Sequence, residues 1–365
     1  MEPLIKIILV GLGVRGMHWI NVINKHKLAL ISGFVDINPL SKDKLLKYNS
    51  HEIPFFTSFS KALEKVDSNA VLIATPPEYH YDQVILAFKK GKHVICEKPL
   101  TEELNESIQL YKASLTYKLK LMVGMNFRYL STSQYIRNVV SNSELGPIGF
   151  ANFNYIRNRN GNRTDLNKYP LTMDHPMLLE QTIHHLDLLR YCYMSEVKSV
   201  QADSWRPDWS TYENDCCVSI VLTFHNKFVV NYLGTWTSGW NRFCFHWRTD
   251  FRDGVLIQKD QFSDLFRVNY QKKISLIGNN FKNSDEAESL DPIILKKDKP
   301  FFDDTNGLLN EFISSIRYNK DLDTGVKDYL KTFVLVTACI QSRDNQSTVN
   351  LADVYNFFSL QGILE

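Results

Sequence analysis

The stretch from Leu4 to Gly16 constrains the fold more than any other part of the chain. An apolar run, Leu4 to Leu12, is broken only by Lys6 and flows into Gly11-Leu12-Gly13-Val14-Arg15-Gly16, followed by an amphipathic segment from Met17 to about Lys25. Strand, glycine turn and helix succeed one another directly. The spacing has a mechanical basis: the first glycine makes the turn, the second lets backbone amides approach a pyrophosphate, and the third lets helix and strand pack closely. Phosphates would then sit on the helix N-terminus. A tight connection that binds nothing can use the same glycines, so the following segments decide.

They continue the alternation. Leu28 to Val35 ends in Asp36, about 20 residues past the glycine turn, where an acid accepts hydrogen bonds from an adenosine ribose. A carboxylate there repels a 2′-phosphate and favours NAD over NADP; the competing reading of Asp36 is a turn cap ahead of Asn38-Pro39. Pro39 to Tyr48 reads as a short helix, Phe55-Phe56 as a strand, Phe59 to Lys65 as a helix and Ala70 to Ala74 as a buried strand. The rigid turn Thr75-Pro76-Pro77-Glu78-Tyr79-His80 leads to a helix ending near Lys90, and strand Val94 to Cys96 delivers Glu97-Lys98-Pro99. A helix from Glu102 to about Tyr117 and a strand from Leu121 to Met125 close the series. Such repetition predicts a doubly wound parallel sheet. Lys98 would stand at its carboxyl edge, where open α/β sheets hold ligands. A solvated strand-end lysine is the plainer reading, weakened by its neighbours Glu97 and Pro99.

At 365 residues the chain exceeds the usual single-domain size, so two domains are expected. The formal net charge is +2 with acids and bases interspersed, which gives no electrostatic case for nucleic acid or an anionic membrane as the main partner. Cys96, Cys192, Cys216, Cys217, Cys244 and Cys339 show neither paired metal spacing nor the density of a disulfide scaffold, so reduced, mostly buried thiols and no metal are expected. The N-terminus lacks the basic start and small-residue cleavage site of a signal peptide, and no apolar run reaches membrane-spanning length, which predicts a cytoplasmic protein.

In the second half, Gly149 to Arg157, Cys216 to Phe224 and Phe228 to Thr235 alternate β-branched and aromatic residues, with Asn226-Lys227 marking a hairpin. Leu178 to Tyr191 is helical in pattern. Leu179, Ile183 and Leu186 form one apolar face, while Glu180, His184 and Asp187 recur at i, i+4 and i+7 on another. A solvated polar face would look the same. His185 points about 100° away from its neighbour and reads as structural. Trp205, Trp209, Trp236, Trp240 and Trp247 cluster downstream with Tyr212, Tyr232 and the polar residues Arg157, Asn214, Asp215 and Arg242. Aromatic faces beside directed polar groups suit a polyhydroxylated ring, although any single Trp also fits a sheet face packed on a helix or subunit. From about Asp250 to Lys299 the pattern weakens, with polar stretches such as Lys282 to Glu286; Phe302 to Tyr318 and Val326 to Arg343 then read as two amphipathic helices.

The glycine turn, Ala-Thr-Pro-Pro-x-x-His at Ala74 to His80, Glu97-Lys98-Pro99 and Val-Gly-x-Asn-x-Arg at Val123 to Arg128, in that order, resemble the glucose-fructose oxidoreductase / inositol dehydrogenase / MocA (Gfo/Idh/MocA) family over essentially the whole chain. The resemblance implies an α/β architecture: an NAD-binding Rossmann domain over residues 1–125 and a substrate-binding and oligomerisation α+β domain with an open, mostly antiparallel sheet over residues 126–365. It implies NAD held by Gly11, Gly13, Val14, Arg15, Gly16, Asp36, Thr75, Pro76, His80, Glu97, Lys98 and Asn126. It also implies catalysis by Lys98, His184 and Glu180, with Arg157, Glu180, His184 and Trp236 on the substrate. Relatives carry Asp-x-x-x-His on the helix, whereas Glu180 is one methylene longer; it could bind substrate, orient His184, or both. A homodimer or homotetramer is implied in the same way.

The expectation is thus an NAD-dependent oxidoreductase moving hydride between nicotinamide and a hydroxyl-bearing carbon of a sugar, sugar acid or cyclitol. His184 would serve as general base, because an imidazole titrating near neutrality suits alcohol deprotonation, and Lys98 would polarise the substrate oxygen. Two alternatives stand beside it: a glycosidase or eliminating enzyme that keeps NAD tightly bound, and a non-enzymatic NAD-binding sensor.

Overall fold

The computed structural model describes residues 3–48, 52–269 and 291–364; the stretch Lys282 to Glu286 lies outside them. Six strands form a parallel sheet in the order β3-β2-β1-β4-β5-β6, comprising β1 (Ile5–Val10), β2 (Ala29–Val35), β3 (Phe55–Phe56), β4 (Ala70–Ile73), β5 (His93–Cys96) and β6 (Leu121–Val123). Helices α1 (Val14–Ile23), α2 (Phe59–Lys65), α3 (His80–Lys89) and α4 (Leu104–Tyr117) make the crossovers, and Pro39–Tyr48 is a 3₁₀ segment. The central strands read as unbroken apolar runs because helices cover both faces; Ile7, Ile8, Leu72 and Ile95 are all 0% exposed.

The register of this sheet sets up the site. Val10 pairs with Val35 and Ile73, Ile73 with Cys96, and Cys96 with Val123, so the carboxyl ends of five strands form one row. The turns leaving that row bring Gly11, Asp36, Thr75, Lys98 and Asn126 to a common edge.

After α5 (Ser131–Ser141), a second sheet is built from β7 (Ile148–Ile156), β8 (Val197–Trp205), β9 (Cys217–Phe224), β10 (Val229–Thr235), β11 (Cys244–Phe251), β12 (Gly254–Asp260), β13 (Ser263–Asn269), β14 (Asp291–Pro292) and β15 (Val349–Asn350). Among the described residues its order is β14-β13-β12-β11-β7-β10-β9-β8-β15, antiparallel throughout except for β7 against β10. Lys227 closes the expected β9–β10 hairpin with φ 68°. The weakened pattern after Asp250 hides the strands β12 and β13, because Lys259, Asp260, Asp264 and Arg267 interrupt their apolar residues; Val255, Leu256, Leu265 and Val268 are nonetheless buried.

The helix expected over Leu178 to Tyr191 is composite. Met177–Thr182 form a π-helical turn that runs into α6 (Ile183–Tyr193). Helices α7 (Asp303–Tyr318), α8 (Val326–Asn345) and α9 (Leu351–Phe357) follow. Helix α7 returns to the first sheet: Leu308, Leu309, Phe312 and Ile313 share a core with Ile7, Trp19, Ile20 and Leu72. Among the described residues no helix is long and apolar enough to cross a membrane.

Candidate active site

A cleft of about 730 Å³ runs along the carboxyl edge of the parallel sheet and under the second sheet. At one end lies the glycine turn. Gly11 has φ +91°, and a Cβ there would lie 2.7 Å from the carbonyl carbon and oxygen of Ala74, so the turn requires glycine. A Cβ on Gly16 would meet the Gly11 oxygen at 2.0 Å; this glycine seats α1 on the strand and does not line the cleft. Gly13 has open space where a side chain would project, and α1 begins without a side-chain cap. A ligand phosphate could therefore approach the uncapped amides of the helix start.

The Arg15 guanidinium adds to this. Its Nε donates to Glu97 Oε1 at 2.6 Å, and Trp19 Nε1 donates to the same oxygen at 2.6 Å. Among the described residues Arg15 Nη1 and Nη2 are buried without a partner, as is His18 Nδ1, and both residues line the cleft. Buried donors without acceptors at a glycine turn fit a bound anionic dinucleotide. Asp36 lies beside the glycine turn, accepting from Leu12 N at 2.8 Å and from Asn38 N at 2.9 Å. It therefore caps the turn and lines the cleft at once, and the two readings of this residue are compatible. Val14, Thr75, Pro76 and Asn126 also line the cleft. Thr75 Oγ1 donates to Gln83 Oε1 at 2.7 Å, and Asn126 Nδ2 donates to Asp304.

His80 departs from expectation. It is 0% exposed and absent from the cleft wall, with Nδ1 2.9 Å from Pro99 O and Nε2 2.8 Å from Thr75 O. Burial lowers its pKa against the pull of those carbonyls. Its place is behind the site, where it ties the turn after β4 to the turn after β5.

At the other end the two halves of the chain meet. Lys98 Nζ donates to the Glu180 carbonyl at 2.8 Å and to Glu180 Oε2 at 2.8 Å. Tyr169 OH donates to Glu180 Oε1 at 2.6 Å, so both carboxylate oxygens are engaged and neither is held by His184. Burial and the Glu180 charge push the Tyr169 phenol well above its usual range. An ammonium has three donors. Two of those on Lys98 go to Glu180, leaving one for a ligand.

His184 is 6% exposed, lines the cleft and stacks on Phe127 with ring centroids 4.3 Å apart. Burial, then Lys98, His185 and Arg15, hold its pKa well below the usual histidine value. The ring is neutral at neutral pH and able to accept a proton. Asp187 separates from the Glu180/His184 pair: at about 1.5 Å rise per residue it stands a further two turns along from Glu180. There it accepts from Arg128 Nε at 2.6 Å. His185 is fully buried, with Nδ1 2.8 Å from Tyr232 OH.

Of the downstream aromatics only Trp236 reaches the cleft; Trp205, Trp209 and Trp240 are exposed, and Trp247 is buried against Tyr193. Arg157 lines the cleft, whereas Asn214, Asp215 and Arg242 do not. The sequence reading missed Tyr169, Arg159 and His18. Arg159 had a signal, because the period-2 alternation of β7 continued past Arg157 places it on the same side. Tyr169 had none, lying in an aperiodic loop whose path only tertiary packing defines.

A glycine turn at the carboxyl edge of a doubly wound sheet, faced by a lysine, a glutamate and a histidine from two halves of one chain, defines a two-part dinucleotide-binding α/β protein. Residues 5–125 match the model of the oxidoreductase family with NAD-binding Rossmann fold, and residues 133–252 match the GFO/IDH/MocA C-terminal domain. The chain belongs to the Gfo/Idh/MocA oxidoreductase family. It is 28% identical over 148 residues to the glucose-6-phosphate 3-dehydrogenase of Bacillus subtilis (39% of this chain, 40% of that protein). To the inositol 2-dehydrogenase of Pseudarthrobacter chlorophenolicus it is 29% identical over 143 residues (39% and 40%). The chain spans less than two thirds of the length of the curated relatives it matches. An oxidoreductase from Agrobacterium radiobacter, solved with NAD+, L-tartaric acid and magnesium, has the same fold, with a TM-score of 0.80 at 19% identity over 96% of this chain and 99% of that one.

Proposed function

We propose that this protein is an NAD-dependent dehydrogenase acting on a hydroxyl-bearing carbon of a sugar, sugar acid or cyclitol. The observation that carries this reading is the meeting of Lys98, from the strand edge of the dinucleotide fold, with Glu180 at 2.8 Å, in the same cleft as His184 and the glycine turn. Bound nicotinamide would supply the hydride acceptor. Gly13, the start of α1 and Arg15 hold the diphosphate, and Asp36 accepts from the adenosine ribose, its charge disfavouring a 2′-phosphate. Lys98, oriented by Glu180, donates its remaining N–H to the substrate oxygen and stabilises the negative charge that develops there. His184, kept neutral by burial, takes the hydroxyl proton on its imidazole. The names of the two curated relatives, a sugar phosphate dehydrogenase and a cyclitol dehydrogenase, support this substrate range.

The test is NAD and NADP reduction by purified protein over inositols, hexoses, pentoses and sugar acids, followed at the NADH absorbance. Lys98→Met and His184→Ala should each lower kcat by about 10²–10⁴-fold while leaving NAD affinity nearly unchanged. Full turnover in both variants would refute the assignment.

A further inference from the structure

Beyond the dehydrogenase chemistry, one part of the cleft carries charge that the reaction does not use. Arg157 and Arg159 stand just past the end of β7 and line the substrate end of the cleft. Neither lies within salt-bridge distance of a carboxylate among the described residues. The only side-chain hydrogen bonds they make there are from Arg157 Nη1 to Tyr155 OH at 3.4 Å and from Arg159 Nη1 to Tyr212 OH at 3.2 Å. The cleft carboxylates are occupied elsewhere: Glu97 by Arg15 and Trp19, Glu180 by Lys98 and Tyr169, Asp36 by two backbone amides. Asp165, the nearby loop acid, is held through both oxygens by Arg163 at 3.0 and 2.6 Å.

The third member is Trp236, just past the end of β10. It is 2% exposed and lines the cleft, and its Nε1 is buried without a partner among the described residues. The Arg159 guanidinium carbon lies 4.3 Å from its ring centroid, so one cation is stacked on the residue whose N–H is unsatisfied. Two guanidinium groups that no carboxylate among the described residues contacts, Asp165 reaching Arg157 only at longer range, and an indole donor without a partner among them converge on a single need, an acceptor bearing negative charge.

We propose that Arg157, Arg159 and Trp236 Nε1 form an anion subsite, so that the physiological substrate is an acidic sugar whose carboxylate or phosphate is held there while a hydroxyl carbon is presented to Lys98 and His184. This rests on the dehydrogenase reading for the hydroxyl but not for the anion. Guanidinium forks match both planar carboxylates and tetrahedral phosphates, and each charge-assisted pair binds more tightly than a neutral hydrogen bond. The subsite selects against uncharged sugars and cyclitols, which leave the two cations partly desolvated and unpaired.

The test is calorimetric titration of NADH-loaded protein with hexuronates, with hexose 6-phosphates and with the uncharged parent hexoses, in gluco, galacto and manno configurations. At least one acid should bind about tenfold or more tightly than its neutral parent, with the gap narrowing as salt rises. Arg157→Gln and Arg159→Gln should each remove most of that gap, lowering affinity for the acid far more than for its neutral parent; Arg159→Lys, which keeps the charge, should restore part of it. Preference for the uronate or for the phosphate identifies which anion is bound. Equal affinity for every acid and its parent, or equal losses for both in the variants, would overturn the subsite. If a variant fails to fold by circular dichroism, the salt-dependent gap of the unmodified protein decides alone. Acid binding by calorimetry, with no NAD reduced by the same compounds in the activity screen, would keep the subsite and refute the dehydrogenase, whereas turnover without acid preference would do the reverse.

Discussion

At the scale of single residues, His184 is the most constrained group in the cleft. Burial and the nearby Lys98, His185 and Arg15 disfavour its protonated form, so it remains a base at acidities where a free histidine has become an acid. The rate of substrate oxidation should therefore hold level down through pH 6.5, the ordinary histidine value, and fall only below it. A pH profile of kcat/KM with its acid limb centred at or above that value would contradict the assignment. His185 carries a linked effect on stability. Its folded-state pKa is lowered to about 3 by burial, whereas the unfolded side chain titrates near 6.5. The unfolded chain binds the proton first, so stability is fully present above pH 6.5 and declines as the pH falls toward 3. Urea midpoints measured across that range should show the decline; a flat series down to about pH 4 would mean that the buried histidines contribute nothing.

At the scale of elements, the helix that carries His184 is held by charge as well as by packing. Asp187 on α6 accepts from Arg128 Nε at 2.6 Å and from Thr332 Oγ1 on α8 at 2.9 Å; Arg190 donates to Thr332 Oγ1 at 2.6 Å and to Asp328 Oδ1 at 3.1 Å. Arg128 is 5% exposed and Asp187 1%. Asp187→Ala would leave a buried guanidinium short of a partner and should lower stability by about 3–5 kcal/mol, read from chemical unfolding. A loss below about 1 kcal/mol would show that Asp328 alone satisfies Arg128. The sequence reading placed Asp187 on the same polar stripe as Glu180 and His184. It could not show that this stripe outruns the cleft, or that the first turn is π-helical. The parallel sheet was legible because buried strands are continuous apolar runs and their turns use glycine and proline. Strands β12 and β13 were not, because Lys259, Asp260, Asp264 and Arg267 break up the apolar alternation. Lys98, His184 and Glu180 were accessible from motif and spacing, whereas Tyr169 and the structural place of His80 depend on which backbone carbonyls and carboxylates fold beside them.

At the scale of the molecule, the two sheets are bound together by chain that returns. Phe312 on α7 is 0% exposed in a core with Trp19, Ile20 and Ile7, so residues near the end of the sequence complete the packing of its beginning. Phe312→Ala should destabilise the protein by about 3–5 kcal/mol, and the loss should appear in the near-ultraviolet signal of Trp19 as well as in global unfolding. Retention of full stability would show that this cover is dispensable to the dinucleotide fold. The pairing of β7 with β10 acts at the same scale. Since these strands run parallel, both leave the sheet at one end, and Arg157, Arg159 and Trp236 ride on their exits just beyond the strands that build the core. In the proposed subsite the two arginines thus sit outside the strand ladder, while Trp236 belongs to the core. On the proposed reading, exchanging the two short exit segments would change which anion is recognised while the hydrogen-bond ladder, the glycine-turn edge and His184 stay in place, a modular route by which copies of such a chain can diversify.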